Sequence, residues 1–269
     1  MPARRLAPAL LLALLAPAAL AAQERERRSD AEWCRDGSND DDRRTVCEVR
    51  ELTLDARSLL RVDGRTNGGV RVEGHDGRDI RVRARVQANA ASEGAAREIV
   101  DAVRIAGDDV LRAEGPRDLG RREGWSVSYE IMVPRRMDLE VEASNGGIAV
   151  RDVSGRMQLQ TTNGGLQLED LAGDVRARTT NGGVTARLSG SRWDGAGLDV
   201  RATNGGVRLT MPAGYGATLE AGTVNGGLTV DFPMTVQGRI GREVRAEIGG
   251  GGPPIRAYTT NGGVRVLRQ

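Results

Sequence analysis

The five residues TTNGG at positions 179–183 decide how this chain folds, because their core recurs along it. Asn-Gly-Gly occurs seven times, and we predict a structural turn at each of its asparagines: Asn67, Asn145, Asn163, Asn181, Asn204, Asn225 and Asn261. Asn-Gly favours a tight turn with positive φ, since glycine has no side chain to clash and asparagine tolerates the left-handed region. Each unit therefore needs the same bend at the same place.

The spacing of these corners indicates a repeat protein. From residue 138 onward, successive corner asparagines lie 18, 18, 23, 21 and 36 residues apart. A nearly constant period of this size is typical of stacked coils. The long last interval predicts a degenerate additional unit around "EIGGGGPP". Each unit reads as an alternating strand, the Asn-Gly-Gly corner, a short second strand and a polar corner.

Two β architectures can use such a corner. In an antiparallel β-meander sandwich, Asn-Gly joins neighbouring strands, and the two halves of "VRARTTNGGVTARL" at residues 175–188 pair well as a hairpin. In a β-solenoid, the chain turns a corner and stacks on the previous coil at about 4.8 Å. Aromatic residues make up 3% of the chain and the inward positions are small, which suits a narrow stacked interior with asparagine ladders. We therefore predict an all-β, single-stranded β-solenoid, with the sandwich as the alternative.

Several segments resemble those of a known family. They are "CEVRELTL", "WSVSYEIMVP", the "TTNGGV" series, "DFPMTVQGRIGR" and "GGPPIRAYTTNGGVRV". The chain resembles, over about residues 47–269, a bacterial "putative-adhesin" family of exported β-solenoid domains related to head domains named for a Gly-Ile-Asn pattern. The resemblance implies a right-handed β-helix and an exported location. It supplies no catalytic residues.

The N-terminal region predicts export. Two arginines, an apolar run and the small residues Ala19-Leu20-Ala21 are typical of a signal peptide at residues 1–21, and no later stretch is long enough to span a membrane. Residues 22–46 read as a flexible arm, tied by a disulfide between Cys34 and Cys47. Residues 47–137 read as β coils with one short helix near 92–104, continuous with the Asn-Gly-Gly solenoid at 138–269. The predicted location is the periplasm, the cell surface or the extracellular space.

Net charge disfavours one class of partner. The formal charge is +2, and removal of Arg4 and Arg5 with the signal peptide brings the mature chain close to zero. Affinity for nucleic acid depends on concentrated positive charge. We therefore do not expect nucleic acid as a partner.

Residues for catalysis or metal binding are sparse. His75 lies in the polar turn "EGHDGRD" without the partners of a hydrolase triad or a zinc site. Glu169, Asp170 and Asp174 are close in sequence and are the candidate carboxylates for a polysaccharide-acting enzyme. Trp193, in the insertion "GSRWDGAG", is the candidate ligand contact. We predict no catalytic site, no metal and no cofactor.

These observations predict an exported, non-enzymatic, adhesin-like β-solenoid. Its rigid repetitive surface would bind an envelope polymer, a glycan or a protein, since repeat proteins use extended surfaces for recognition. The first alternative is a structural envelope component that associates with copies of itself edge to edge. A polysaccharide-acting β-helix enzyme is the less favoured alternative.

Overall fold

The computed structural model describes residues 30–35, 43–64, 67–234 and 241–269. The chain divides into two units, Met1–Ser38 and Asn39–Gln269. In the first unit, residues 30–35 are helical. The predicted signal peptide at 1–21 and much of the predicted arm at 22–46 lie outside the described residues.

The described residues of the second unit form twenty strands. In chain order, the first ten are β1 (Arg44–Leu54), β2 (Leu59–Gly64), β3 (Val70–His75), β4 (Ile80–Ala90), β5 (Arg104–Ala106), β6 (Leu111–Glu114), β7 (Gly124–Pro134), β8 (Asp138–Asn145), β9 (Ile148–Arg151) and β10 (Ser154–Asn163). The other ten are β11 (Leu166–Glu169), β12 (Ala172–Asn181), β13 (Val184–Arg187), β14 (Gly197–Asn204), β15 (Val207–Met211), β16 (Ala217–Asn225), β17 (Leu228–Val230), β18 (Glu243–Ile248), β19 (Pro254–Asn261) and β20 (Val264–Arg268). The predicted all-β class is confirmed.

The strands form two mixed sheets of ten strands each. Sheet 1 has the order β1-β4-β7-β3-β9-β11-β13-β15-β20-β17. Sheet 2 has the order β18-β16-β19-β14-β12-β10-β8-β2-β6-β5. Neighbouring strands are parallel through the middle of both sheets, and antiparallel pairs occur at the ends, as in β1 with β4 and β16 with β18.

Alternating side chains build the core between the sheets. In β12, Val175, Ala177 and Thr179 are buried, while the residues between them face outward. The equivalent residues of parallel neighbours are in register, so that Val175 lies beside Met157 of β10 and Leu198 of β14. Because side chains in a strand alternate between its faces, each sheet presents one apolar and one polar face. The apolar faces merge into a single hydrophobic cluster.

The hairpin that residues 175–188 could form does not exist. β12 pairs with β10 and β14 in sheet 2, whereas β13 pairs with β11 and β15 in sheet 1. The Asn-Gly-Gly corner therefore carries the chain from one sheet to the other. The local sequence suits both the hairpin and the parallel pairing. The contacts with neighbouring units select the parallel pairing.

The C-terminal unit departs from sequence order. β19 lies between β14 and β16, and β20 lies between β15 and β17, so that the last unit inserts between two earlier ones. The long interval before Asn261 holds β18, which returns antiparallel to β16, and the prediction of a degenerate coil there is wrong. The turn after β18 uses Gly249 and Gly250, with φ of 54° and 86°. Glycine adopts this left-handed region without the steric cost of a side chain.

The interval between Asn67 and Asn145 leaves the repeat. It contains the antiparallel pair β4 and β7 and the helix Glu93–Ala102, which lies within the range predicted from the sequence. The Ser92 side chain caps the helix by accepting a hydrogen bond from the Ala95 N–H at 3.2 Å. The chain then returns so that β8 pairs with β2, and Asn145 lies next to Asn67.

Candidate functional site

The corner asparagines form one continuous ladder. Their order in space is Asn67, Asn145, Asn163, Asn181, Asn204, Asn261 and Asn225. Each carboxamide after Asn67 donates one hydrogen bond, of 2.7 to 2.9 Å, to the side-chain oxygen of a neighbouring asparagine, and Asn67 accepts the bond from Asn145. Since these side chains are exposed, the ladder follows one outer edge of the unit.

Close backbone contact explains the first glycine of each corner. A Cβ on Gly182 would lie 2.1 Å from the carbonyl oxygen of Gly164, and a Cβ on Gly164 would lie 2.1 Å from that of Gly146. The described residues with positive φ, glycines apart, are Asp152 and Asp170, at 57° and 52°. The predicted left-handed asparagine is therefore wrong. The left-handed residues occupy the opposite corner, where the chain passes from sheet 1 back to sheet 2.

A buried threonine two residues before the asparagine supports four of these corners. Thr179 Oγ1 donates to the carbonyl oxygen of Gly164 at 2.8 Å, and Thr161 does the same to Gly146. Thr259 and Thr223 make equivalent bonds. A buried carbonyl without a partner costs about 1–3 kcal/mol, so each threonine satisfies a group that the tight corner leaves inside.

Trp193 is part of the core, which corrects its prediction as a ligand contact. Its side chain is 3% exposed, and its indole N–H donates to the carbonyl oxygen of Gly173 at 2.9 Å. The insertion around it continues the stack, since Gly173 N–H donates to the Asp194 carbonyl at 2.7 Å. A covered ring with a satisfied donor offers no face to a ligand.

The candidate carboxylates of an enzyme do not converge. Glu169 lies outward on sheet 1 and pairs with Arg187 at 3.5 Å, whereas Asp174 lies on sheet 2 and pairs with Arg176 at 3.2 Å. The two carboxylates therefore face opposite sides of the unit.

His75 is held in its turn by Asp79. One ring nitrogen lies 2.8 Å from the carbonyl oxygen of Asp79, and the other accepts the Gly77 N–H at 3.1 Å. In the described part of the chain, no three His, Cys, Asp or Glu side chains are grouped as metal ligands would be.

The outer face of sheet 1 carries paired charges. Six residues after the first four corner asparagines, the neighbouring strands place Glu73, Arg151, Glu169 and Arg187 in one column. Arg151 pairs with Glu73 at 2.5 Å. A shallow depression of about 470 Å³ follows this column. Its charges are neutralised within the surface.

The outer face of sheet 2 carries a larger groove, of about 760 Å³. On this face, the residues three before each corner asparagine from Asn145 onward form one column, in the order Glu142, Gln160, Arg178, Arg201, Tyr258 and Gly222. Thr180, Thr203 and Thr260, one before each asparagine, line the groove beside them. Its volume lies within the range of about 300–1,000 Å³ typical of ligand sites. We call this feature the sheet 2 groove.

Tyr258 and Arg201 form a fixed pair within the sheet 2 groove. The Arg201 guanidinium lies 5.7 Å from the centre of the Tyr258 ring and is bound by Asp199 at 2.9 and 3.1 Å. Tyr258 donates its hydroxyl to Glu243 at 3.1 Å. Burial, then the hydrogen bond to Glu243, raises the pKa of Tyr258 to about 12.

Arg178 differs from the other arginines of the sheet 2 groove. Arg242 donates to the Val224 carbonyl at 2.6 Å, and Arg201 is held by Asp199. Arg178 is exposed, and no described carboxylate or carbonyl accepts a hydrogen bond from it. Its neighbours in register are Gln160 and Arg201. The groove therefore contains a cation without a partner among the described residues.

Sequence reasoning missed the sheet 2 groove, although a signal for it exists. Aligning the units on asparagine puts Arg178, Arg201 and Tyr258 at one position of the repeat. That column becomes a continuous surface because the units pair in register. The sequence did not reveal that Tyr258, from the last unit, would stand beside Arg201.

The two cysteines are bridged. Cys34 and Cys47 are both disulfide-bonded, and they are the two cysteines of the chain. The predicted disulfide is therefore confirmed. None of the helices in the described ranges is long and apolar enough to cross a membrane.

A family model matches residues 128–267, more than half of the chain, and carries the description Toastrack DUF4097. The chain belongs to the Toastrack DUF4097 family. This membership confirms the family resemblance stated from the sequence. The Toastrack match covers the corners from Asn145 to Asn261, and with them the whole column from Glu142 to Tyr258. No curated protein matches the chain.

Several solved structures are similar to this chain at low sequence identity. A "putative cell adhesion protein" from Clostridium sporogenes is 10% identical, with a TM-score of 0.48 over 83% of this chain and 100% of its own. A "putative adhesin" from Bacteroides fragilis is 10% identical, with a TM-score of 0.37 over 83% and 97%. A "putative lipid binding protein" from Parabacteroides distasonis is 8% identical, with a TM-score of 0.24 over 83% and 96%.

Proposed function

We propose that this protein is an exported, non-enzymatic, adhesin-like binding protein that recognises an envelope or surface macromolecule. The observation that carries the proposal is the sheet 2 groove of about 760 Å³, built from equivalent positions of successive units. Such a surface repeats one set of contacts along the stack, which suits a ligand that is itself extended. Among the described side chains of this groove, no acid and base converge on one point.

A right-handed β-solenoid is the architecture that we propose for this surface. The chain alternates between the sheets, and each strand pairs in parallel with its equivalent in the next unit. The crossover connection between two parallel strands of one sheet is right-handed in about 98% of cases. The departure at β19 and β20 keeps the same parallel register. Export is proposed from the signal-like sequence at 1–21 and suits the disulfide.

The proposal is tested by binding of the purified mature chain to isolated cell envelopes and to a glycan array. The test variant is Thr203→Glu with Arg178→Glu in the sheet 2 groove, and the matched control is Thr185→Glu with Arg208→Glu on sheet 1. We expect the groove variant to lose binding and the control to keep it, with unchanged circular dichroism for both. Equal binding by the two variants, or no binding by the wild type, would refute the proposal.

Self-association is the alternative that the same preparation tests. Light scattering at increasing protein concentration measures the molar mass of the wild type. A concentration-dependent polymer that the groove variant still forms would favour a structural component assembled through strand edges. A constant mass together with groove-dependent binding supports the binding protein.

A further inference from the structure

We propose that the sheet 2 groove binds an extended acidic glycan, with one sugar carboxylate held by Arg178. This inference rests on the proposed binding function and names the chemical class of its ligand. Its basis is a contrast among the arginines of the groove. Arg178 has no hydrogen-bond acceptor among the described residues, whereas Arg201 and Arg242 each have one. A guanidinium presents a planar pair of donors that matches a carboxylate.

The charge of the groove fits a sparsely charged ligand. Three arginines line or border it, against the carboxylates of Asp199 and Glu243, which leaves one positive charge unbalanced. A polyphosphate or a nucleic acid would bring several negative charges into a space that already contains these two carboxylates. A polymer with one carboxylate every one or two residues brings fewer negative charges into this space, and so lowers that repulsion.

The remaining lining supplies neutral polar contacts at regular steps. Thr180, Thr203 and Thr260 lie on three successive strands, β12, β14 and β19, and their hydroxyls face the solvent. Strands are about 4.8 Å apart, close to the length of one sugar residue in an extended polysaccharide. Each hydroxyl can both donate and accept, as a sugar hydroxyl does. The column therefore repeats with the period of the proposed ligand.

Tyr258 forms one wall of the site. Its ring lies over Gly222, where a Cβ would come within 2.9 Å of the ring, so the absence of a side chain at 222 makes room for it. Since Asp199 and Glu243 fix Arg201 and the Tyr258 hydroxyl, this wall is in place before a ligand arrives. Val224, 56% exposed, adds an apolar contact at the end of the threonine column.

The test measures the affinity of the full mature chain for defined oligosaccharides by calorimetry. The probes are oligogalacturonate as the acidic glycan, maltooligosaccharide of the same length as the neutral glycan, and polyphosphate as a dense polyanion. We expect oligogalacturonate to bind at least tenfold more tightly than either of the others. Added salt should weaken this binding, because exposed charges are screened.

Arg178→Gln tests the proposed carboxylate contact, and Arg208→Gln is its control. Arg208 is likewise exposed and lacks an acidic partner among the described residues, but it lies on sheet 1. We expect Arg178→Gln to weaken oligogalacturonate binding by about tenfold to a hundredfold, as for loss of a charge-assisted hydrogen bond. Arg178→Lys should bind with intermediate affinity, since it keeps the charge and loses the planar pair of donors. Arg208→Gln should bind as the wild type does.

The outcomes separate the ligand class from the general function. If the protein binds envelopes through the sheet 2 groove but prefers neutral glycan or polyphosphate, or if Arg178→Gln and Arg208→Gln behave alike, the acidic-glycan proposal is refuted and the binding function stands. If the wild type binds neither envelopes nor any probe, both proposals fail.

Discussion

At the scale of single residues, the corner Asn-Gly-Gly does two separate jobs. The asparagine side chain links neighbouring units outside the backbone, as in the 2.9 Å bond from Asn181 to Asn163. The first glycine permits backbone contact inside the corner, where the neighbouring carbonyl occupies the place of a Cβ. The motif resembles a hairpin turn, but it recurs along the chain because it lets neighbouring units pack closely. It does not form a left-handed turn at the asparagine.

The contact at Gly182 predicts a steep cost for any side chain. Gly182→Ala would place a Cβ 2.1 Å from the Gly164 carbonyl oxygen, so either backbone must shift. We expect the free energy of unfolding to fall by about 3 kcal/mol, the upper end for overpacking. The control is Gly214→Ala, whose Cβ would meet nothing within 4 Å. Urea denaturation measures both, and equal stability of the two variants would contradict the close-contact explanation.

The ladder also predicts which asparagine loses its amide first. Deamidation begins when the N–H nitrogen of the following glycine attacks the side-chain carbon and releases ammonia, and water then opens the cyclic imide to Asp or isoAsp. After Asn163, Asn181 and Asn204 this nitrogen is engaged, as in Gly182 N–H to the Asn204 carbonyl at 3.0 Å. Asn225 is the last rung, and within the described ranges neither the Gly226 N–H nor the Asn225 Oδ1 has a hydrogen-bond partner.

We therefore expect Asn225 to deamidate before Asn163, Asn181 or Asn204. Incubation of the native protein in mildly alkaline buffer, followed by peptide mapping, measures the order. The same protein in urea provides the control, because all the corners should then react at similar rates. Simultaneous deamidation of Asn181 and Asn225 in the native state would show that the ladder does not protect its members.

At the scale of strands, sequence order and spatial order part at the C-terminus. The short strands β15, β20 and β17 are neighbours in that order, although β17 precedes β20 in the chain. By pattern alone, β15 and β17 could pair with each other, since all three strands alternate in the same way. β18 takes the chain back along β16 and so delivers β19 and β20 to the gap.

Cross-linking tests this strand order. Arg208 and Arg265 are partners in β15 and β20, and Arg265 and Thr229 are partners in β20 and β17. Arg208→Cys with Arg265→Cys should form a disulfide on mild oxidation, since neighbouring strands are about 4.8 Å apart and a disulfide spans roughly 4.4–6.8 Å between Cα atoms. Arg208→Cys with Thr229→Cys should not, because a strand lies between them. Mass spectrometry detects each disulfide. A disulfide in the second variant and none in the first would show that these strands are neighbours in their sequence order instead.

At the scale of the whole molecule, packing raises the pKa values of the tyrosine side chains, in the core for Tyr129 and Tyr215 and in the sheet 2 groove for Tyr258. All three tyrosines of the chain have raised pKa values. Burial raises the pKa of Tyr215 to about 12, and burial, with a smaller contribution from the Asp63 charge, raises that of Tyr129. The Tyr129 hydroxyl is buried and has no hydrogen-bond partner in the described structure.

These shifts predict alkaline unfolding. Folding favours the neutral phenol, whose pKa is about 10 in the unfolded chain. The associated stabilisation is complete below pH 10 and is lost as the pH rises through the folded values of about 12. We expect native protein to show little tyrosinate absorbance just above pH 10, while the chain in urea titrates there. Titration of the native protein near pH 10 would contradict burial of these side chains.

The sequence by itself determined the all-β class, the location of the short helix and the positions of the Asn-Gly-Gly corners, because these follow from alternation, a helix cap and a repeated motif. Alternation also indicated small side chains at the inward positions, and Val175 and Ala177 occupy such positions, since a strand with one apolar face must cover it. Trp193 could not be placed in this way, because it lies in an insertion without a pattern.

The tertiary structure decided which units become neighbours. A strand with a regular pattern accepts any equivalent strand at its edge, so pattern cannot distinguish β16 from β19 as the partner of β14. The path of β18 makes that choice, and it brings Tyr258 beside Arg201 and assembles the sheet 2 groove. Local chemistry fixed the strands and corners, whereas long-range pairing made a surface from them.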